Sequence, residues 1–71
     1  MTNLKLLKSK MLLSGFESFN VSMAGILECG LTTAQFKMQG KSEFKQSEII
    51  KIIDALHLTR DEVMEIFFEG R

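Results

Sequence analysis

Apolar residues recur every three or four positions along almost the whole chain, and glycines or small polar residues cut the pattern into short lengths. That spacing gathers apolar side chains on one side of an α-helix, whereas a half-buried strand needs strict alternation. No segment alternates for long enough to be a strand, and the chain has no proline to interrupt a helix. Ile49, Ile52, Ile53 and Leu56 make the clearest stripe and predict a helix from about Gln46 to His57. Next, "TRDE" reads as a capping box, with Thr59 as cap and Glu62 three residues on. It opens a helix with Val63, Ile66 and Phe67 facing inward and Gly70 as its stop. At the other end, Leu4, Leu7, Met11 and Leu12 form a stripe between an Asn3 cap and a Gly15 stop. "FESFN" is a connection in which Asn20 caps a second helix running to about Leu27, with Met23, Ala24 and Leu27 inward. "ECGL" is a turn, and a third helix runs from about Leu31 to Gln39 and stops at Gly40. In the loop "GKSEFK", Phe44 anchors back into the core. The expectation is an all-α fold, a compact bundle of five short helices in a single domain over residues 1–71.

A chain of 71 residues buries only about 60% of its unfolded surface, but 45% hydrophobic residues allow a helical core. Lys5, Lys8 and Lys10 interrupt the apolar residues from Leu4 to Leu13, so that stretch is no signal peptide. No run approaches the roughly 20 apolar residues of a membrane span. One cysteine, Cys29, cannot form an internal disulfide and reads as a small buried hydrophobe, which fits a reducing cytoplasm. His57 stands alone near a helix end, without the cysteine and histidine cluster that a metal requires. No phosphate-binding glycine loop or catalytic pair is present, so neither an enzyme nor a cofactor or small-molecule substrate is expected.

Net charge is zero, but it is unevenly spread. Up to Lys51, seven lysines face four glutamates, a balance of +3; beyond it, two arginines face five acids, a balance of −3. One surface can therefore approach phosphate while another is held away.

Two short helices joined by a tight turn containing glycine predict a helix-turn-helix formed by helices 2 and 3. Ala24 is small enough for a close crossing, and Ala34 and Met38 face inward. Projected at about 100° per residue, Thr32, Thr33, Gln35, Phe36 and Gln39 face the other way. In such a pair, the second helix lies in the major groove with its early residues near base edges.

"LKSKMLLSG", "MAGILECGLTTAQFKMQGKSEF" and "SEIIKIIDALHLTRDEVMEIFF" together resemble the Cro/repressor, or Xre-like, helix-turn-helix family, across nearly the whole chain. The short forms carried by temperate phages and prophages of Gram-positive bacteria look most similar. Met23 and Ala24 match the family's opening pair, Leu27 its leucine, Cys29 its isoleucine, and Lys37, Met38, Gln39 and Gly40 its ending. Glu28 replaces the usual turn glycine, with Gly30 expected to take the left-handed geometry instead. The connection before Asn20 is about two residues longer than usual, and the outer face lacks the usual arginines and serines. The resemblance implies a phage transcription regulator acting in the bacterial cytoplasm. It also implies a homodimer that presents two recognition helices about 34 Å apart to a palindromic operator.

On that reading, the Gln35 amide bonds adenine N6 and N7, and Thr32 and Thr33 offer hydroxyls to bases or phosphate. Asn20, Gln39 and Lys41 bind phosphate, with Lys37 and Lys45 as secondary contacts, three or four lysines in all. The plainer reading makes Thr32 a cap and Gln35 a solvated residue. Phe36 packs on a thymine methyl, docks a protein partner, or belongs to the core. Met64 and Phe68 either complete the core or form a self-association patch. Two functions follow. In one, the domain binds operator DNA. In the other, an antirepressor or modulator uses the same helix face to bind the DNA-binding domain of a partner phage repressor.

Overall fold

In a computed structural model, which describes residues 2–68, the chain forms α1 (Leu4–Leu13), α2 (Phe19–Leu27), α3 (Leu31–Met38), α4 (Gln46–Leu56) and α5 (Arg60–Val63). A π-helical turn, Met64–Phe68, continues from α5. No strand occurs among the described residues. The Gly70 stop expected from the sequence lies outside them.

The same device ends the first four helices. A residue with positive φ follows each, at Gly15 (92°), Glu28 (57°), Gly40 (81°) and His57 (54°). The next N–H then reaches back to a carbonyl five residues earlier: Phe16 to Met11, Cys29 to Ala24, Lys41 to Phe36 and Leu58 to Ile53. This is the Schellman stop, in which the residue after the left-handed position packs back on the helix. Phe16, Cys29 and Leu58 all pack on the core. Glycine takes the left-handed conformation without strain, so Gly15 and Gly40 were readable as stops. Glu28 and His57 carried no such signal. The expectation that Gly30 supplies the left-handed turn is corrected: its φ is −70°, and Glu28 itself adopts that conformation.

Helix starts are also local. Asn3 Oδ1 accepts from the Leu6 N–H at 3.1 Å. At Thr59, the hydroxyl accepts from the Glu62 N–H at 3.2 Å, and Glu62 accepts from the Thr59 N–H at 2.8 Å, completing the expected capping box. At α4, Glu48 accepts the Lys45 N–H at 2.7 Å. Asn20 is not the cap of α2: the helix begins a residue earlier, Ser18 holds the cap position, and Asn20 falls in the first turn.

The core joins Leu7 and Met11 of α1, Met23 and Leu27 of α2, Ala34 and Met38 of α3, Phe44 of the following loop, Ile52 and Leu56 of α4, and Ile66 and Phe67 of the π-helical turn, with Val63 of α5 packed against it half-buried. Phe44 meets Phe67 edge-to-face, with centroids 6.0 Å apart at 83°. The Asn3 N–H donates to the Ile66 carbonyl at 2.6 Å, and Lys10 pairs with Glu62, so α1 is tied to the last two elements. Two expectations change. Leu12 is exposed and takes no part in the α1 stripe. The fifth helix stays α-helical only to Val63 and then widens into a π-helical turn, in which Ile66 and Phe67 are both buried, as the stripe predicts.

Candidate functional site

α2 packs more extensively on α3 than on any other helix, across the turn Glu28, Cys29 and Gly30. Met23 and Leu27 bury one side of α2; Ala34 and Met38 seal the facing side of α3. With that seam closed, helical geometry leaves Thr32, Thr33, Gln35, Phe36 and Gln39 exposed, as the projection predicts. The core alternative for Phe36 is therefore ruled out, since its side chain is 47% exposed. Met64 and Phe68, at 46% and 56%, are likewise on the surface and do not complete the core.

The two helices of the motif differ from the rest at their N-termini. Neither Ser18 nor Gly30 caps its helix with a side chain, and neither first turn holds an acid. The first N–H groups of α2 and α3, at the positive ends of the helix dipoles, thus have no capping side chain as acceptor. Asn20 is half-buried in the first turn of α2.

The cations are arranged otherwise than expected. Lys37, read from the sequence as a phosphate contact, is 5% exposed and cannot serve as one. It lies three residues after Ala34, on the same side of α3, so its stem runs into the interior. Its Nζ donates to the Glu43 carbonyl at 3.0 Å and pairs with Glu48 Oε1 at 3.1 Å. Burial pushes the Glu48 carboxyl up, but the Lys45 N–H and the Lys37 ammonium outweigh it and hold the group below its ordinary value. The sequence signal was present in the three-residue spacing from Ala34 and in the acid that opens α4.

Lys41 and Lys45 remain exposed in the loop after α3. The Schellman stop carries Lys41 back over its own helix, so that its ammonium lies 5.5 Å from the Phe36 ring centroid. Phe36 and Lys41 thus form one unit, apolar below and cationic above. Lys51 donates to the Leu27 carbonyl at 3.5 Å and lies 3.9 Å from Glu28, so it serves the end of α2.

A cleft of about 120 Å³ is lined by Thr2, Leu4, Lys37, Gly40, Ser42, Glu43 and Phe44, and none of the exposed α3 residues lines it. Among the described residues, no three metal-ligating side chains cluster, and no helix is long and apolar enough to cross a membrane. No family model, curated protein or solved structure matches the chain.

Proposed function

We propose that this chain is a small phage-type transcription regulator that binds operator DNA through α2 and α3, in the cytoplasm of a bacterial host. The observation that carries this reading is the outward face of α3, where Thr32, Thr33 and Gln35 stand exposed on a helix sealed from behind by Ala34 and Met38. Gln35 reads adenine through N6 and N7, and the threonines take bases or phosphate near the helix start. Asn20, Gln39 and Lys41, with the open N–H groups of α2 and α3, set the register on the backbone without reading sequence. Occupying an operator that overlaps a promoter would then exclude polymerase or a competing repressor. A homodimer joined through Met64 and Phe68 would present two such helices to a palindrome.

A second reading is favoured by Phe36. A half-exposed phenylalanine at the centre of a face short of free cations is the anchor that a protein interface uses. In this reading, the same face docks on the DNA-binding domain of a partner repressor and alters its operator contacts. Titration against short duplexes from the chain's own genomic neighbourhood, at about 150 mM salt, with and without the neighbouring repressor, separates the two. A sequence-specific shift by the protein alone supports DNA binding. No shift alone, with loss of the repressor's shift, supports the second reading. Phe36→Ala then abolishes the repressor effect and spares any residual DNA affinity.

A further inference from the structure

α3 is held by two kinds of contact that differ in how well they define an angle. Its apolar seam consists of one methyl, Ala34, and one unbranched thioether chain, Met38. A methyl group resists rotation weakly, and methionine adapts to irregular space instead of specifying it. On a helix of eight residues, that seam leaves the rotation about the axis loosely defined. The other attachment is directional. Lys37 Nζ has two acceptors, the Glu43 carbonyl at 3.0 Å and Glu48 Oε1 at 3.1 Å. Glu48 is itself oriented by the Lys45 N–H at 2.7 Å, so it cannot follow a turning helix. The Phe44 ring, 5.9 Å from the ammonium, closes another side.

A buried ion pair adds little net stability over apolar residues of similar volume, because desolvating both charges offsets their attraction. What it adds here is direction. We propose that Lys37, through Glu48 and the Glu43 carbonyl, sets the rotation of α3 and so acts as a positioning residue for the face carrying Thr32, Gln35 and Phe36. The inference rests on the DNA reading for what that face recognises, and on geometry alone for how it is held.

The test compares the wild-type chain with Lys37→Met, Glu48→Gln and the double variant. Methionine keeps an unbranched stem, and glutamine keeps an acceptor for the Lys45 N–H. Amide hydrogen exchange is read by NMR for α3 relative to Ile52 and Ile53 in α4. We expect α3 amides to exchange about tenfold faster in Lys37→Met while those in α4 stay within about twofold, with the double variant no worse than Lys37→Met. Equal acceleration in both helices, or no change in α3, overturns the proposal. Should Lys37→Met fail to fold, the same comparison is made on Glu48→Gln. The second measurement is duplex affinity against salt. The ratio of specific to non-specific binding should fall about tenfold while the salt slope is kept. A slope shallower by about one, with the ratio intact, would return Lys37 to phosphate contact and overturn the proposal. If the wild-type chain binds no duplex specifically, the DNA reading falls, and the exchange comparison still judges the role of Lys37.

Discussion

Glu28 holds a left-handed backbone at the turn between α2 and α3, where glycine would be unstrained. Its carboxylate returns little, since the Lys51 ammonium is 3.9 Å away and both side chains are well exposed. Glu28→Gly should therefore stabilise the fold by about 1 kcal/mol, raising the melting temperature by roughly 4–8 °C for a domain of this size. A melting temperature that stays level or falls would mean that the glutamate side chain contributes something the backbone argument omits. Gln35 makes the corresponding case for recognition. It is exposed and carries no part of the core. On the proposed DNA-binding reading, Gln35→Ala should leave melting unchanged and cost about 1–3 kcal/mol of discrimination at one base pair of a specific duplex. Uniform weakening across all duplexes would assign Gln35 to the backbone instead.

The element scale is governed by two carboxylates that serve a helix start and an ion pair at once. Glu48 accepts the Lys45 N–H at the start of α4 and meets Lys37; Glu62 accepts the Thr59 N–H at the start of α5 and meets Lys10. Glu48 is held below its ordinary value despite its burial, and Glu62 lies below it chiefly through the hydrogen bond from Lys10 and then that from Thr59. A carboxyl with a depressed pKa in the fold stabilises it fully above the unfolded value and loses that contribution as pH falls through the folded one. The melting temperature should thus be level from about pH 7 to 5.5 and decline below about 4.5. Glu48→Gln and Glu62→Gln should each flatten that decline; curves parallel to wild type would place the acid sensitivity in other groups. At the same helix start, Thr59→Ala should cost about 1 kcal/mol by leaving the Glu62 N–H without its acceptor.

For the molecule as a whole, one small core holds every element. Ile52 is fully buried in it, while Ile50 on the same helix is exposed. Ile52→Ala should cost about 2–5 kcal/mol, a large share of the roughly 4–10 kcal/mol available to a domain of this length. Ile50→Ala should stay within about 0.5 kcal/mol, so denaturant midpoints for the pair test where the core ends. Charge also acts at this scale. With Lys37 inside and Lys10 paired, Lys41 and Lys45 are the exposed lysines in the loop that follows α3, so on the proposed DNA-binding reading the salt slope for specific duplex binding should be about −2 per chain. A slope of −4 or steeper would require lysines on other elements to reach phosphate.

Short-range order along the chain was sufficient for much of this. The helices of the first four segments, the Asn3 cap, the Thr59 box, the Gly15 and Gly40 stops and the opposed sides of α3 all follow from 3.6-residue geometry and from caps within a few positions. Tertiary structure decided the rest. The spacing from Ala34 points Lys37 inward, but only the fold brings the Glu43 carbonyl and the Glu48 carboxylate to meet it. Glu28 and His57 accept a left-handed backbone because Cys29 and Leu58 gain the core by it. The π-helical turn after Val63 and the exposure of Met64 and Phe68 beside the buried Ile66 and Phe67 were not legible either. The physical reason is that a local backbone preference is worth about 1 kcal/mol, whereas burying an apolar side chain in the core is worth about 1.5–3 kcal/mol, and which side chains reach the core is settled only when the helices meet.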